Sequence, residues 1–174
     1  MVKNKIFNIC SVAVLTAASF VIFSSQLTLA QSKNTKNSAW LTRCDKDEAG
    51  NTTHCEMFTR LNMQNTKQRV LEFAIGYKNN NSNAASSIMV LPLGVLTQDD
   101  VTFFIDEKAY FNTKVNYCLE NGCYAHITLP DQIISKMKKG NEAALKFKAM
   151  NGKPIMVKMS LTGFTKTLQN LKKN

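Results

Sequence analysis

The chain is poor in the residues and motifs from which enzyme active sites are usually built. It has only two histidines, His54 and His126, in 174 residues. It lacks the Gly-x-Ser-x-Gly turn of hydrolases, a glycine-rich phosphate-binding loop and the His-Glu-x-x-His pattern of zinc peptidases. Asp99-Asp100 follows Thr97, which is typical of a turn and not of a catalytic carboxylate pair. We therefore predict that the protein is not an enzyme, with neither histidine a ligand, and that it uses no cofactor or metal.

The first thirty residues have the composition of a secretory signal peptide. Lys3 and Lys5 precede a predominantly apolar, uncharged run over 6–21, and residue 30 is a small alanine at the cleavage position. An uncleaved membrane anchor is the alternative, but the small polar residues of 24–28 favour cleavage. We predict a signal peptide over 1–30, a flexible arm over 31–38 and one domain over 39–174. The domain is then exported through the inner membrane.

Cysteines remain in the exported part in an even number: Cys44, Cys55, Cys118 and Cys123. In an oxidising compartment this indicates two disulfides. Of the three possible pairings, Cys44–Cys55 and Cys118–Cys123 are preferred, because each closes a short loop between segments with strand patterns. The alternative is a zinc site of four thiolates. The absence of a Cys-x-x-Cys spacing and the predicted export both argue against it.

From Ala39 onward apolar and polar residues alternate, which is the pattern of half-buried strands. Alternation of this kind predicts strands at 55–61, 69–77, 101–106 and 123–129. The uninterrupted apolar run 88–91 predicts a central strand covered on both faces. The asparagine-rich stretch 79–85, between the strand 69–77 and the run 88–91, predicts a hairpin loop. His54 is expected in a turn. His126 is expected on the polar face of its strand.

Two short helices are expected near the C-terminus. The first covers 131–139, with Asp131 in its first turn, three apolar residues on one face, and Gly140 at its end: Ile133, Ile134 and Met137 form that face. The second closes the chain through apolar residues at helical spacing: Phe164, Leu168 and Leu171.

Between these helices lies a predicted hairpin. A three-residue loop at 151–153, with Gly152 at positive φ, keeps the apolar side chains of both strands on one face. In this register Lys146 lies directly opposite Lys158. Like charges opposite each other cost stability, so the pair is interpreted either as a solvated face or as a docking face for an anionic ligand.

Positive charge is concentrated in the last quarter of the chain. Residues 31–130 hold ten Lys or Arg and ten Asp or Glu, whereas 131–174 hold ten Lys against two acids, a net charge of +8. This asymmetry indicates either an anionic partner or simply a contribution to solubility. For an anionic partner, six lysines are the candidate binding residues: Lys136, Lys138, Lys139, Lys146, Lys148 and Lys158. Nucleic acid is not expected, because the protein is exported and no aromatic stacking platform accompanies the lysines. The short helix predicts weak or no membrane contact.

Several short motifs, taken in order and spacing, resemble the invasion-associated locus B (IalB) family of exported bacterial proteins. They are Trp40 four residues before Cys44, Cys55-Glu-Met, Arg69-Val-Leu, Met89-Val-Leu-Pro-Leu-Gly94, Ile105-Asp106, Cys118, Gly122-Cys123 and Leu161-Thr-Gly-Phe164. The four cysteines of the exported part match the family's pattern. The resemblance implies an all-β, immunoglobulin-like β-sandwich and a role in entry into host cells. It supplies no catalytic residues.

Two functions follow from these features. The first is a virulence factor that binds a host-cell surface component, on a cell of the erythrocyte type, and promotes invasion without catalysis. The second is a structural or chaperone-like protein of the periplasm or outer envelope. The protein is accordingly expected in the periplasm, at the outer membrane or outside the cell.

Overall fold

Alternation of apolar residues builds two antiparallel sheets that face each other across one core. The computed structural model describes residues 38–77 and 85–171. The larger sheet contains, in spatial order, β1 (Leu41–Lys46), β2 (Thr52–Asn62), β3 (Arg69–Tyr77), β4 (Ala85–Leu91), β8 (Gly122–Leu129) and β7 (Tyr117–Leu119). The smaller sheet contains β10 (Pro154–Ser160), β9 (Glu142–Lys148), β5 (Val101–Ile105) and β6 (Lys108–Thr113). Two helices complete the described fold: α1 (Asp131–Lys139) and α2 (Phe164–Leu171).

Aromatic side chains join the two sheets at the centre of the core. Phe73 of β3 and Phe103 of β5 are fully buried, with ring centroids 5.7 Å apart. Trp40 packs edge-on against Phe73 at 6.0 Å and against Phe164 of α2 at 5.0 Å. Its indole N–H donates to the Ser160 carbonyl at 3.0 Å, so the buried tryptophan also satisfies its polar atom. Trp40 therefore ties the start of the domain to both sheets and to the terminal helix.

The β-sandwich implied by the family resemblance is confirmed, and so are the predicted strands and helices. The run 88–91 lies in β4, between β3 and β8 in the middle of the larger sheet. The helix predicted over 131–139 is α1, and its three apolar residues are buried as expected. The predicted signal peptide and all but the last residue of the arm lie outside the described residues. So does the predicted loop 79–85, apart from Ala85, which begins β4.

Both disulfides have the predicted local pairing. Cys44 lies directly opposite Cys55 in the β1–β2 ladder, with Cα atoms 4.1 Å apart. Cys118 lies directly opposite Cys123 in the β7–β8 ladder, with Cα atoms 4.0 Å apart. Each bond therefore fixes a strand at one edge of the larger sheet to its neighbour.

One local prediction was wrong. His54 lies within β2, opposite Asp45, because the ladder continues through the disulfide pair instead of turning there. Gly140 ends α1 as predicted, with φ of −81°. A larger residue does not fit at this position, because a Cβ at Gly140 would lie 2.7 Å from Cγ2 of Ile105.

The predicted register of the β9–β10 hairpin was also wrong. Lys146 lies opposite Met156, and Lys158 lies opposite Ala144. The loop has three residues, as predicted, but they are 150–152, since the Ala149 N–H donates to the Lys153 carbonyl at 2.9 Å. The two lysines are therefore diagonal neighbours, and no directly opposed like charges need to be explained.

Neither α1 nor α2, the helices of the described segments, has the length and apolarity needed to cross a bilayer.

Candidate functional site

Three of the six candidate lysines share the outer face of the smaller sheet. Side chains alternate along β9 and β10, so burial of Leu145 and Phe147 turns the intervening lysines outward. The sheet lysines, Lys146, Lys148 and Lys158, are all exposed. The fold thus brings these three predicted residues onto one surface.

Carboxylates neutralise two of the sheet lysines. Lys148 Nζ lies 2.6 Å from Oδ2 of Asp99, and Lys158 Nζ lies 2.8 Å from Oε1 of Glu142. The hydrogen bond with Glu142 raises the pKa of Lys158 above its ordinary value. Among the residues that the structure describes, Lys146 has no carboxylate oxygen within 4.0 Å. It is therefore the only sheet lysine whose charge is not locally compensated.

A groove of about 430 Å³ runs beside Lys146. Its charged lining alternates in sign, with Lys114, Lys146 and Lys148 accompanied by Asp99 and Asp100. Lys114 Nζ lies 2.7 Å from Oδ1 of Asp100, which forms a second ion pair on this surface. Because the charges largely cancel, this groove is less attractive to an anion than the lysine count suggests.

The other three candidates, the helix lysines, occupy the last two turns of α1: Lys136, Lys138 and Lys139. All three are exposed, and none has a carboxylate partner within the described segments. Their position is electrostatically favourable, because the C-terminal end of a helix carries partial negative charge that stabilises cations. Three full positive charges exceed this partial charge of about half a unit, so the helix lysines keep most of their charge for a partner.

Lys166 is a further exposed cation beside the helix lysines that the sequence analysis did not identify. It lies on α2, next to Thr165, whose hydroxyl donates to the Lys138 carbonyl at 3.2 Å. Helical spacing places Lys166 off the buried stripe of α2, but only the contact between the two helices brings it near Lys138. No hydrogen bond or ion pair within the described residues joins the helix lysines to the sheet lysines.

The two histidines lie on the outer face of the larger sheet. His126 lies on the exposed face of β8, and its Nε2 lies 2.9 Å from the Tyr117 hydroxyl. Within the described part of the chain no carboxylate pairs with His126. His54 packs over Gly76 of β3, where an added Cβ would lie 3.2 Å from the imidazole ring. Both side chains cover the outer face of the larger sheet.

A charge cluster that the sequence did not reveal occupies the same outer face. The Glu72 side chain is only 4% exposed, yet it lies 2.8 Å from Arg43 and 2.6 Å from Arg60. Burial, the largest single influence, raises the pKa of Glu72, but the hydrogen bonds from Arg60 and Arg43 outweigh it and lower the pKa. Phe58 lies beneath both guanidinium groups, with its ring centroid 4.6 Å from Arg43. The ion pairs join β1, β2 and β3 and stabilise the larger sheet.

Comparison with known proteins agrees with this architecture. The crystal structure of invasion associated protein b from Bartonella henselae matches with a TM-score of 0.67 and 22% identity, covering 76% of this chain and 90% of that chain. At that identity the likeness shows the fold alone. No curated protein matches the chain in sequence. The profile of the family described as invasion associated locus B (IalB) protein matches residues 40–172. Because the match spans almost the whole described domain, the chain belongs to the invasion associated locus B family.

Proposed function

We propose that this protein is exported and promotes bacterial entry into host cells by binding an anionic component of the host-cell surface, without catalysis. Membership of the invasion associated locus B family supports a role in invasion. Two disulfides support export, since such bonds persist in oxidising compartments. The net charge of +8 in the last quarter supports an anionic partner.

The observation that carries the proposal is the uncompensated charge of the helix lysines. Lys136, Lys138 and Lys139 lie together in the last turns of α1, with Lys166 on the neighbouring α2. Lys146 adds a fifth cation from the smaller sheet. Lys148 and Lys158 contribute less, because the carboxylates that they already contact cancel most of their field.

Binding to erythrocytes across a salt series tests the proposal. The first variant of the mature chain combines Lys136→Glu, Lys138→Glu and Lys139→Glu. Its matched control reverses three exposed lysines of the remaining surface, at Lys46, Lys67 and Lys108. We expect the helix variant to bind at least about tenfold more weakly than the control, and wild-type binding to weaken as salt rises. Binding that does not depend on salt concentration, or an equal loss of affinity in both variants, would refute the proposal.

A second candidate function, a chaperone-like envelope protein, is favoured by exposed apolar side chains at one end of the sandwich. Met150 is 74% exposed, and its backbone N–H donates to the Gly94 carbonyl at 2.8 Å, next to the exposed Leu93. Leu119 is exposed at the β7–β8 turn. Cell fractionation separates the two functions: a protein confined to the periplasm supports the second candidate, and one found outside the cell supports the first.

A further inference from the structure

A depression of about 260 Å³ with an apolar floor lies on the outer face of the smaller sheet. Phe104 of β5 and Ala144 of β9 lie directly opposite each other in the floor. Met156 of β10 completes it and is 49% exposed. A half-exposed methionine beside a phenylalanine leaves apolar surface that a ligand can remove from water.

The rim of this depression carries an excess of negative charge, so the feature is called the acidic depression. Asp106, Glu107 and Glu142 line it with a single cation, Lys158. Lys158 neutralises Glu142 at 2.8 Å. Asp106 Oδ1 is occupied structurally, since it accepts the backbone N–H groups of Asn141 and Glu142, each at 3.0 Å. Glu107 has no hydrogen bond and no ion pair within 4.0 Å among the residues described. It interacts at longer range with Lys158, which already pairs with Glu142, so most of the Glu107 charge is available to a ligand.

Glu107 also occupies an unfavourable backbone conformation. Asp106 and Glu107 form the two-residue turn between β5 and β6, with φ of 45° and 68°. Asn, Asp and Gly are preferred in such turns, and a left-handed residue with a long side chain carries a steric cost. Asp106 recovers part of this cost through its backbone contacts. Glu107 has no such local bond, so the turn itself does not account for a glutamate here.

We propose that the acidic depression binds a segment of a partner protein in which an arginine adjoins an apolar side chain. The apolar side chain covers Phe104, Ala144 and Met156, and the guanidinium group pairs with the Glu107 carboxylate. A negative rim repels anionic lipid headgroups and polyanions, which favours a basic peptide as the occupant. The site adjoins the C-terminal end of α1, since a Cβ at Gly140 would lie 3.1 Å from Oδ2 of Asp106, and it selects the charge opposite to that of the anion bound by the helix lysines.

Two short peptides and the mature chain labelled at its methionine methyl groups test this site. The first is acetylated, amidated Thr-Leu-Thr-Arg-Thr, whose Leu and Arg share one face when extended. The second replaces Arg with citrulline, which has the same shape without the charge. We expect the arginine peptide to shift the Met156 methyl resonance and to bind about fivefold more tightly than the citrulline peptide. The methyl groups of Met89 and Met137, both fully buried, report that the fold is unchanged.

Charge-removing variants then assign the preference to Glu107. Glu107→Gln should abolish the advantage of the arginine peptide, and Glu107→Asn should do the same while increasing stability, because Asn tolerates the left-handed turn. Glu120→Gln, which removes an exposed charge at the β7–β8 turn, should retain the advantage. Equal binding of both peptides overturns the proposal. So does an advantage that survives Glu107→Gln, the absence of any Met156 shift at about 1 mM peptide, or a shift caused only by phosphatidylglycerol vesicles.

Discussion

Glu72 shows how a single buried charge is accommodated on a sheet face. Its carboxylate comes from β3, whereas Arg43 comes from β1 and Arg60 from β2. Alternation along β3 puts Glu72 on the face opposite the core side chains of that strand. It could not show that arginines from two other strands cover the carboxylate, because those contacts depend on the register of both ladders. The sequence therefore predicted the direction of this side chain but not its burial.

We expect Glu72→Gln to destabilise the protein by about 2 kcal/mol at pH 7, because it removes charged hydrogen bonds from a buried acceptor. The lowered pKa of Glu72 makes this contribution pH-dependent. A carboxylate with a depressed pKa stabilises the fold above its unfolded-state pKa, and the stabilisation is lost as pH falls through the folded-state value. The difference between wild type and variant should therefore shrink as pH falls below 4.5, the ordinary value.

Urea unfolding at pH 7 and pH 3 measures this difference. Glu56→Gln is the matched control, since Glu56 contacts the same Arg43 but its side chain is more exposed. Its effect should stay within about 1 kcal/mol. A gap between wild type and Glu72→Gln that is as large at pH 3 as at pH 7 would contradict the assignment.

Among the elements, the β9–β10 hairpin shows the limit of pattern-based register. Loops at 150–152 and 151–153 both put the apolar side chains of the two strands on one face, so alternation cannot distinguish them. The position of the left-handed residue does. In three-residue hairpin loops this residue comes last, and Gly152, with φ of 79°, is the last residue of the loop 150–152. The sequence predicted the special conformation of Gly152, but the loop was placed one residue too late.

Gly152→Ala should destabilise the protein by about 1 kcal/mol, because an alanine at positive φ is strained. An added Cβ at Gly152 has no neighbour within 4 Å, so packing does not contribute to this cost. Gly152→Asn should cost less than half as much, since Asn tolerates the left-handed region. Thermal unfolding of the two variants measures both values, and equal stability of wild type and the alanine variant would argue against the observed turn.

Predictability varied between strands for physical reasons. Strands whose apolar residues alternate clearly in the sequence, such as β3 and β8, were predicted within a few residues. β1 is exposed at all six positions, so burial imposes no alternation on it. β6 is paired through a bulge between Phe103 and Phe104, and β7 has only three residues. Those strands are defined by pairing with their neighbours, and their bounds could not be predicted from the sequence.

For the molecule as a whole, the two disulfides should supply a large share of the stability. Chain-entropy arithmetic for separations of 11 and 5 residues gives about 3 kcal/mol for Cys44–Cys55 and about 2 kcal/mol for Cys118–Cys123. Domains of this size are stable by only about 5–15 kcal/mol. Replacing each pair by alanine should lower the free energy of unfolding in urea by these amounts. An unchanged free energy of unfolding in both variants would contradict the proposed dependence on an oxidising compartment.

Only the number and sequence positions of the charged residues in the candidate site could be predicted. Counting residues located the basic segment and its six lysines. It could not show that Asp99 and Glu142 neutralise Lys148 and Lys158, because Asp99 is distant in sequence from its partner and Glu142 meets its partner across a hairpin. The contribution of Lys166 depends likewise on helix packing. The structure therefore places more uncompensated positive charge on α1 than on the smaller sheet.

The salt dependence of heparin binding by the mature chain tests the central claim most directly. A polyanion releases bound counterions when cations bind it, so the slope of log affinity against log salt counts the lysines engaged. Replacing Lys136, Lys138 and Lys139 by alanine should reduce this slope by roughly three, whereas replacing Lys148 and Lys158 should change it by less than about one. An unchanged slope in the first variant would contradict the account.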